Sequence, residues 1–280
     1  MIRFVGRSLL AAHLASIAFS LAGMLIALRY PEMWADSPAA TAAFSLGMRW
    51  GAAGQIVLGA GAALALGGAT LGWRRTATFF AIATLVSLAA ELVGTTTGWP
   101  FGAYRYGDAL GPKILERVPY AIPLSWFYLG LATTVIASHL AARVGPERRA
   151  AATVLIGAWL LTVWDLVLDP AMAHPAMPLK FWVWHEEGAY FGMPLANFAG
   201  WAITAATFIG LARAVSGEMT VTRPALRWAI VLYGANLLFA ALLDAGAGFL
   251  GPLAFAVVGV AAPLLLLRGG PPARRVAWDF

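Results

Sequence analysis

Cysteine is absent from this 280-residue chain, and with it disulfides, thiolate nucleophiles and iron–sulfur clusters. Charge is nearly as scarce. Asp, Glu, Lys and Arg make up 11% of the residues, against about 25% in a soluble globular domain. With 61% hydrophobic residues, such a chain cannot cover a water-facing surface. The net charge of +6 is therefore no nucleic-acid signal, because the arginines sit between apolar runs. Histidine occurs only at positions 13, 139, 174 and 185, which excludes the histidine-rich di-iron sites of membrane hydroxylases and desaturases. The only lysines, Lys113 and Lys180, fall between apolar runs, so none is available for an intramembrane retinal Schiff base.

What remains is long apolar runs. About 20 such residues cross a bilayer as a helix. Spans are expected at roughly 8–28, 50–72, 76–94, 119–140, 150–169, 190–212, 224–244 and 249–267. This is an all-α polytopic membrane bundle of about eight helices, a single domain over 1–280, lodged in the cell membrane. The first run follows Arg3 and Arg7 and is longer than the 7–15-residue core of a signal peptide, so it is read as a retained helix. With the N-terminus inside, inner segments hold 13 arginines and outer ones six Lys or Arg, so both termini are expected in the cytoplasm. Arg274 and Arg275 count among the inner ones.

Two long connections, 95–118 and 170–189, then lie outside. They carry Trp99, Phe101, Tyr104, Tyr106, Trp182 and Trp184, with Tyr190 just beyond. Such loops read equally as an interfacial aromatic belt or as a lid over a cavity. The stretches "ELVG…FGAY…IPLSWF" and "DLVL…GAYFGMPLANF" also match in order: helix, acid, aromatic loop, Pro-Leu, helix. They read as a parallel internal repeat of helices 3–4 and 5–6, related by an axis along the membrane normal.

Ionisable groups inside a membrane are costly and point to function. Glu91 stands near the outer end of helix 3, and Asp165 and Asp169 end helix 5 on one face. Asn197 starts helix 6, with Trp201 one turn on. Asn236 and Asp244 lie on helix 7. The outer-half placements imply one polar pocket. Asp244, beside the short "AGAG" hairpin, reads instead as a structural residue. In an apolar pocket, three adjacent carboxyls repel joint ionisation, and a neutral carboxylic acid is a proton donor. Asp165, deeper, is the expected donor. Asp169 would hold water and accept its proton, and Glu91 would share the proton with Asp165 or replace it. His185-Glu186-Glu187 lacks a second nearby histidine, so no metal site is expected. Asp165-x-x-x-Asp169, with Arg105, Lys113 and Arg117 to meet a diphosphate, keeps a membrane prenyltransferase as the alternative. A non-enzymatic pigment-binding or transport protein is the other.

Four ordered blocks, "ELVGTTTGWPFGAYRYG", "VPYAIPLSWF", "WDLVLDPAM" and "GAYFGMPLANFAGW", resemble the CruF-type carotenoid hydratases of bacteria and haloarchaea, from about Ala89 to Trp201. The resemblance implies addition of water across the terminal C1–C2 double bond of an acyclic (ψ) carotenoid end, giving a tertiary alcohol. It implies a lipophilic carotenoid substrate, the bilayer and other carotenoid-pathway enzymes as partners, and no nucleic acid. This chemistry needs a strong proton donor and no cofactor. It also needs electron-rich walls for the tertiary cation, for which Trp99, Tyr104, Tyr106, Trp164, Trp182, Trp184 and Trp201 are the supply, with Asn197 beside them.

The charge asymmetry predicts the topology directly. Reporter fusions at Arg75 and Arg149 should read as cytoplasmic, and fusions at Lys113 and Lys180 as external. The opposite pattern would place the acids in the cytoplasmic half of the bilayer.

Overall fold

The computed structural model describes residues 1–177 and 179–268. Arg274 and Arg275 lie outside the described residues. Among the described residues, eight α-helices follow in order: α1 (Ile2–Ala22), α2 (Pro38–Leu71), α3 (Trp73–Thr97), α4 (Ala121–Ala141), α5 (Pro146–Ala173), α6 (Leu195–Ser216), α7 (Arg223–Ala247) and α8 (Leu250–Leu266). A π turn (Gly23–Ala27) extends α1. Seven of these helices are long and apolar enough to cross a membrane. With 17 residues, α8 is about 25 Å long, shorter than a bilayer core of about 30 Å. The bundle is a polytopic membrane fold. Many large apolar side chains, among them Leu85, Leu155, Ile203 and Val257, are exposed, as a lipid-facing surface requires. Helix α4 is the centre: it packs on α2, α3, α5 and α7, and nearly all of its residues are buried.

Helix ends differ from the hydropathy boundaries where polar chemistry takes over. With 34 residues, α2 begins a dozen residues before the apolar run, at Pro38. Ser37 caps it by accepting from Ala40 N. Arg49 lies over the Trp50 ring at 5.4 Å, a cation–aromatic pair suited to the lipid headgroup layer. Helix α6 starts at Leu195 and not at 190, because 188–193 folds into a tight turn bridged Gly188 to Gly192. The expected hairpin after Asp244 is present: Gly248, at φ 82°, ends α7 in a conformation that glycine adopts without strain, and α8 begins two residues on.

A further departure is at Pro170. Helix α5 does not stop there but continues to Ala173. A proline in a helix has no N–H and leaves the carbonyl four residues back without its partner. That carbonyl is Leu166 O, and the Tyr190 hydroxyl donates to it at 2.8 Å. The same solution recurs in α8, where Pro263 frees Gly259 O and Trp159 Nε1 donates to it at 2.8 Å. A side chain from another segment thus lets each helix pass through its proline. The outcome places Asp169 a full turn inside α5.

The two long connections meet. Strand β1 (Tyr104–Tyr106) pairs antiparallel with β4 (Trp182–Trp184), in register Tyr104↔Trp184 and Tyr106↔Trp182. A smaller ladder joins β2 (Lys113–Ile114) to β3 (Val118–Pro119) within the first connection. Segments following α3 and α5 that pair antiparallel are what a twofold axis along the membrane normal would produce.

The Pro170–Tyr190 pairing makes a sharp prediction. Tyr190→Phe should cost about 1–3 kcal/mol of stability by orphaning Leu166 O. In a Pro170→Ala background, where the helix restores that bond, the same change should cost well under half as much. Thermal unfolding in detergent of the four proteins measures the coupling, and equal costs in both backgrounds would refute the assignment.

Candidate active site

Three buried carboxyls face one cavity. Glu91 comes from α3, and Asp165 and Asp169 from successive turns of α5. Each meets hydrogen-bond donors. Glu91 Oε2 accepts from the Tyr104 hydroxyl and, at 2.8 Å, from the Tyr106 hydroxyl, while Oε1 accepts from Trp126 Nε1 at 3.0 Å. Burial first, and the Glu91 carboxyl second, push both phenols well above their usual range, so both remain O–H donors. The two aspartates share one amide: Asn197 Nδ2 donates to Asp165 Oδ2 at 2.8 Å and to Asp169 Oδ2 at 2.6 Å. Trp182 Nε1 donates to Asp169 Oδ1 at 2.7 Å. Both oxygens of Glu91 and of Asp169 therefore have donors. Among the described residues, Asp165 Oδ1 is the carboxyl oxygen of this cluster that has none.

Local structure explains how the donors arrive. Phe101 wedges between α3 and α6, where two glycines make room. A Cβ on Gly94 would meet the Phe101 ring at 2.7 Å, and one on Gly200 would meet it at 2.6 Å. The wedge fixes the chain three residues before Tyr104, and Phe101 and Tyr104 pack edge to face at 6.1 Å. Strand alternation sends Tyr104 and Tyr106 inward together and leaves Arg105 outside. Across the ribbon their rings pack on Trp184 at 5.1 Å and Trp182 at 6.2 Å.

Beneath this ribbon the walls are aromatic. Trp126 stacks on Trp201 at 3.8 Å with an 18° interplanar angle, and Trp164 meets Trp201 edge to face at 5.7 Å. The cavity, about 170 Å³ in volume, runs from the acids to the walls of α1, α2 and α7. Phe19 and Phe44 line its far end, and Phe19 is itself exposed on the lipid-facing surface. The cavity thus reaches the flank of the bundle between α1 and α2.

Of the residues singled out from the sequence, Glu91, Asp165, Asp169, Tyr104, Tyr106, Trp164, Trp182, Trp184, Asn197 and Trp201 are all brought to this cavity. Trp99 is not. It is 67% exposed and points away, and Phe101 takes the inward position two residues later. Asp244 stands apart, fully buried, with neither carboxyl oxygen hydrogen-bonded among the described residues. Of the two structural roles open to it, a bond to a neighbouring helix is not made among the described residues, and the other is a place in the headgroup layer. The basic groups considered for a diphosphate are also elsewhere: Arg105 faces out, Lys113 pairs with Asp108 at 2.7 Å, and Arg117 donates to Thr95 O at 2.9 Å. Glu186, next to His185, accepts from Ala103 N at 3.3 Å. Sequence reasoning missed Trp126. It lay in a quoted block, yet an isolated Trp in an apolar run carries no mark of a donor to an acid.

Residues 51–263 match the family model described as carotenoid biosynthesis protein. The chain belongs to this family. A bisanhydrobacterioruberin hydratase of Haloarcula japonica is 38% identical over 133 residues. That match covers 47% of this chain and 42% of the relative, so the chain spans less than half of that relative's length. No solved structure matches.

The donor pattern distinguishes the acids. Glu91→Gln sets an amide NH₂ against groups that can only donate or prefer to, so it should lower the unfolding midpoint more than Asp165→Asn. Equal midpoints in detergent would show that the Tyr104, Tyr106 and Trp126 bonds contribute little.

Proposed function

We propose that this protein is a carotenoid hydratase of the cell membrane. It adds water across the terminal C1–C2 double bond of an acyclic (ψ) carotenoid end and gives a tertiary alcohol. The observation that carries the reading is three carboxyls buried together at one end of a large, aromatic-walled apolar cavity. The name of the haloarchaeal relative supports the same reaction class.

The substrate enters from the bilayer past Phe19 and Phe44, and its ψ end comes to rest under the ribbon. Asp165, with Oδ1 free of donors, delivers its proton to C2. The C1–C2 π electrons form the new C–H bond and leave a tertiary cation at C1. The stacked Trp126 and Trp201, the edge-on Trp164 and the negative pole at Glu91 stabilise it. A desolvated aromatic–cation contact supplies about 2 kcal/mol. Water attacks C1 and gives up a proton to Asp169, and the Asn197 bridge couples the two aspartates as the proton is restored to Asp165. One water is consumed and no electrons are exchanged. Positioned acid–base catalysis of this kind contributes roughly 10²–10⁴-fold.

Cells that accumulate lycopene and express this protein should form a product heavier by one water. Asp165→Asn keeps the shape and the Asn197 contact but has no proton to deliver. At matched expression it should lower hydration by about 10²-fold or more while carotenoid still copurifies. Near-normal turnover by Asp165→Asn would end the acid-site reading. Pigment bound by the wild-type protein but recovered unaltered would favour a carrier.

A further inference from the structure

A second polar cluster joins α1, α2, α4 and α7, and its Gln55, Tyr128 and Asn236 line the cavity. His13, Gln55, Tyr128 and Asn236 are all more than nine-tenths buried. Asn236 accepts from the Tyr128 hydroxyl at 2.9 Å and directs Nδ2 to Leu232 O at 2.8 Å and to His13 Nε2 at 3.0 Å. His13 Nε2 must then be the acceptor. Its Nδ1 therefore carries the hydrogen and donates to the backbone carbonyl of Gln55 at 2.8 Å. The imidazole is a neutral single tautomer with both nitrogens used. Gly59 makes room for it, since a Cβ there would lie 3.0 Å from the ring.

This string already ties α1, α2, α4 and α7 together, and it holds Gln55 by its backbone. The Gln55 side chain is surplus to the tie. Its Oε1 accepts from Ser20 Oγ at 2.9 Å. That leaves the Nε2 hydrogens, for which no acceptor is bonded among the described residues. Both Gln55 and Ser20 line the cavity. An amide donor turned to an apolar cavity without a bonded acceptor is unfavourable, so its retention in that wall calls for an occupant. Every group in the cluster is neutral, which suits a neutral oxygen acceptor and not an anion.

We propose that Gln55, oriented by Ser20, is a second binding station that receives a hydroxyl or carbonyl oxygen carried on the polyene at a distance from its reacting end. This rests on the cavity holding a long polyene, as proposed above. The station would make the protein selective for substrates that already bear oxygen, and would fix how deep the chain slides and so which bond meets Asp165.

Apo-lycopenals test it, because each keeps one ψ end and carries an aldehyde at a chosen distance along the chain. Binding to the full-length protein in detergent, read by quenching of tryptophan fluorescence, needs no turnover. It is therefore judged independently of whether hydration occurs. For the wild type, Kd should pass through a minimum at one chain length, about tenfold tighter than at neighbouring lengths. Gln55→Leu, which leaves the carbonyl bonded to His13 intact, should abolish the minimum. Gln55→Met, of similar length but with no donor, should abolish it too. A wild-type profile without a minimum, or one that survives in either variant, would overturn the proposal.

Discussion

Three carboxyls inside an apolar bundle must each be met by hydrogen-bond donors, and most of this architecture follows from that need. A charged side chain at the centre of a membrane helix costs about 2.5–3.5 kcal/mol on insertion scales. Here the helices cannot supply all the partners, because their backbone N–H groups are committed to the helix ladder. Trp126 and Asn197 come from α4 and α6, but Tyr104, Tyr106 and Trp182 come from the connections. Pulling those three inward folds the loops over the cavity, and the β1–β4 pairing satisfies the backbone carried with them. The roof over the site and the satisfaction of its acids are one event.

The helices were legible in the sequence because a bilayer imposes one length and one polarity on every span. The acids were legible for the same reason, since a carboxyl in such a run is costly and points to function. Their partners were not. Strands of three residues leave no readable alternation, and β1 and β4 lie on opposite sides of two intervening helices in the sequence. Aromatic loop composition does not reveal which ring turns in; Gly94 and Gly200, on two different helices, make room for Phe101, while Trp99 is left outside. The end of α5 was misplaced because Pro170 is a sound stop signal unless a distant group answers its orphaned carbonyl, as Tyr190 does. The His13–Asn236–Tyr128 string was invisible for a similar reason: its members stand on separate helices.

The arrangement separates two demands that alkene hydration places on one site. The cation needs a dry, electron-rich enclosure, which the stacked tryptophans and the inward face of the ribbon provide. Water must nevertheless reach C1, and the acids sit under a roof built of loop segments, not of packed helices. In the proposed reaction, substrate and water would arrive by different routes, the hydrocarbon through the flank between α1 and α2 and the water through the loops. A family described by carotenoid biosynthesis, and a relative named for hydration, are consistent with a site built in this way.

Isotopic labelling of the reaction tests the central claim most directly. Purified protein given lycopene in H₂¹⁸O and D₂O, without added reductant and under argon, should return an alcohol with ¹⁸O at C1 and a single deuterium at C2. Alcohol that forms only in air and takes its oxygen from O₂, or that carries no deuterium at C2, would contradict proton-initiated hydration by the buried acids.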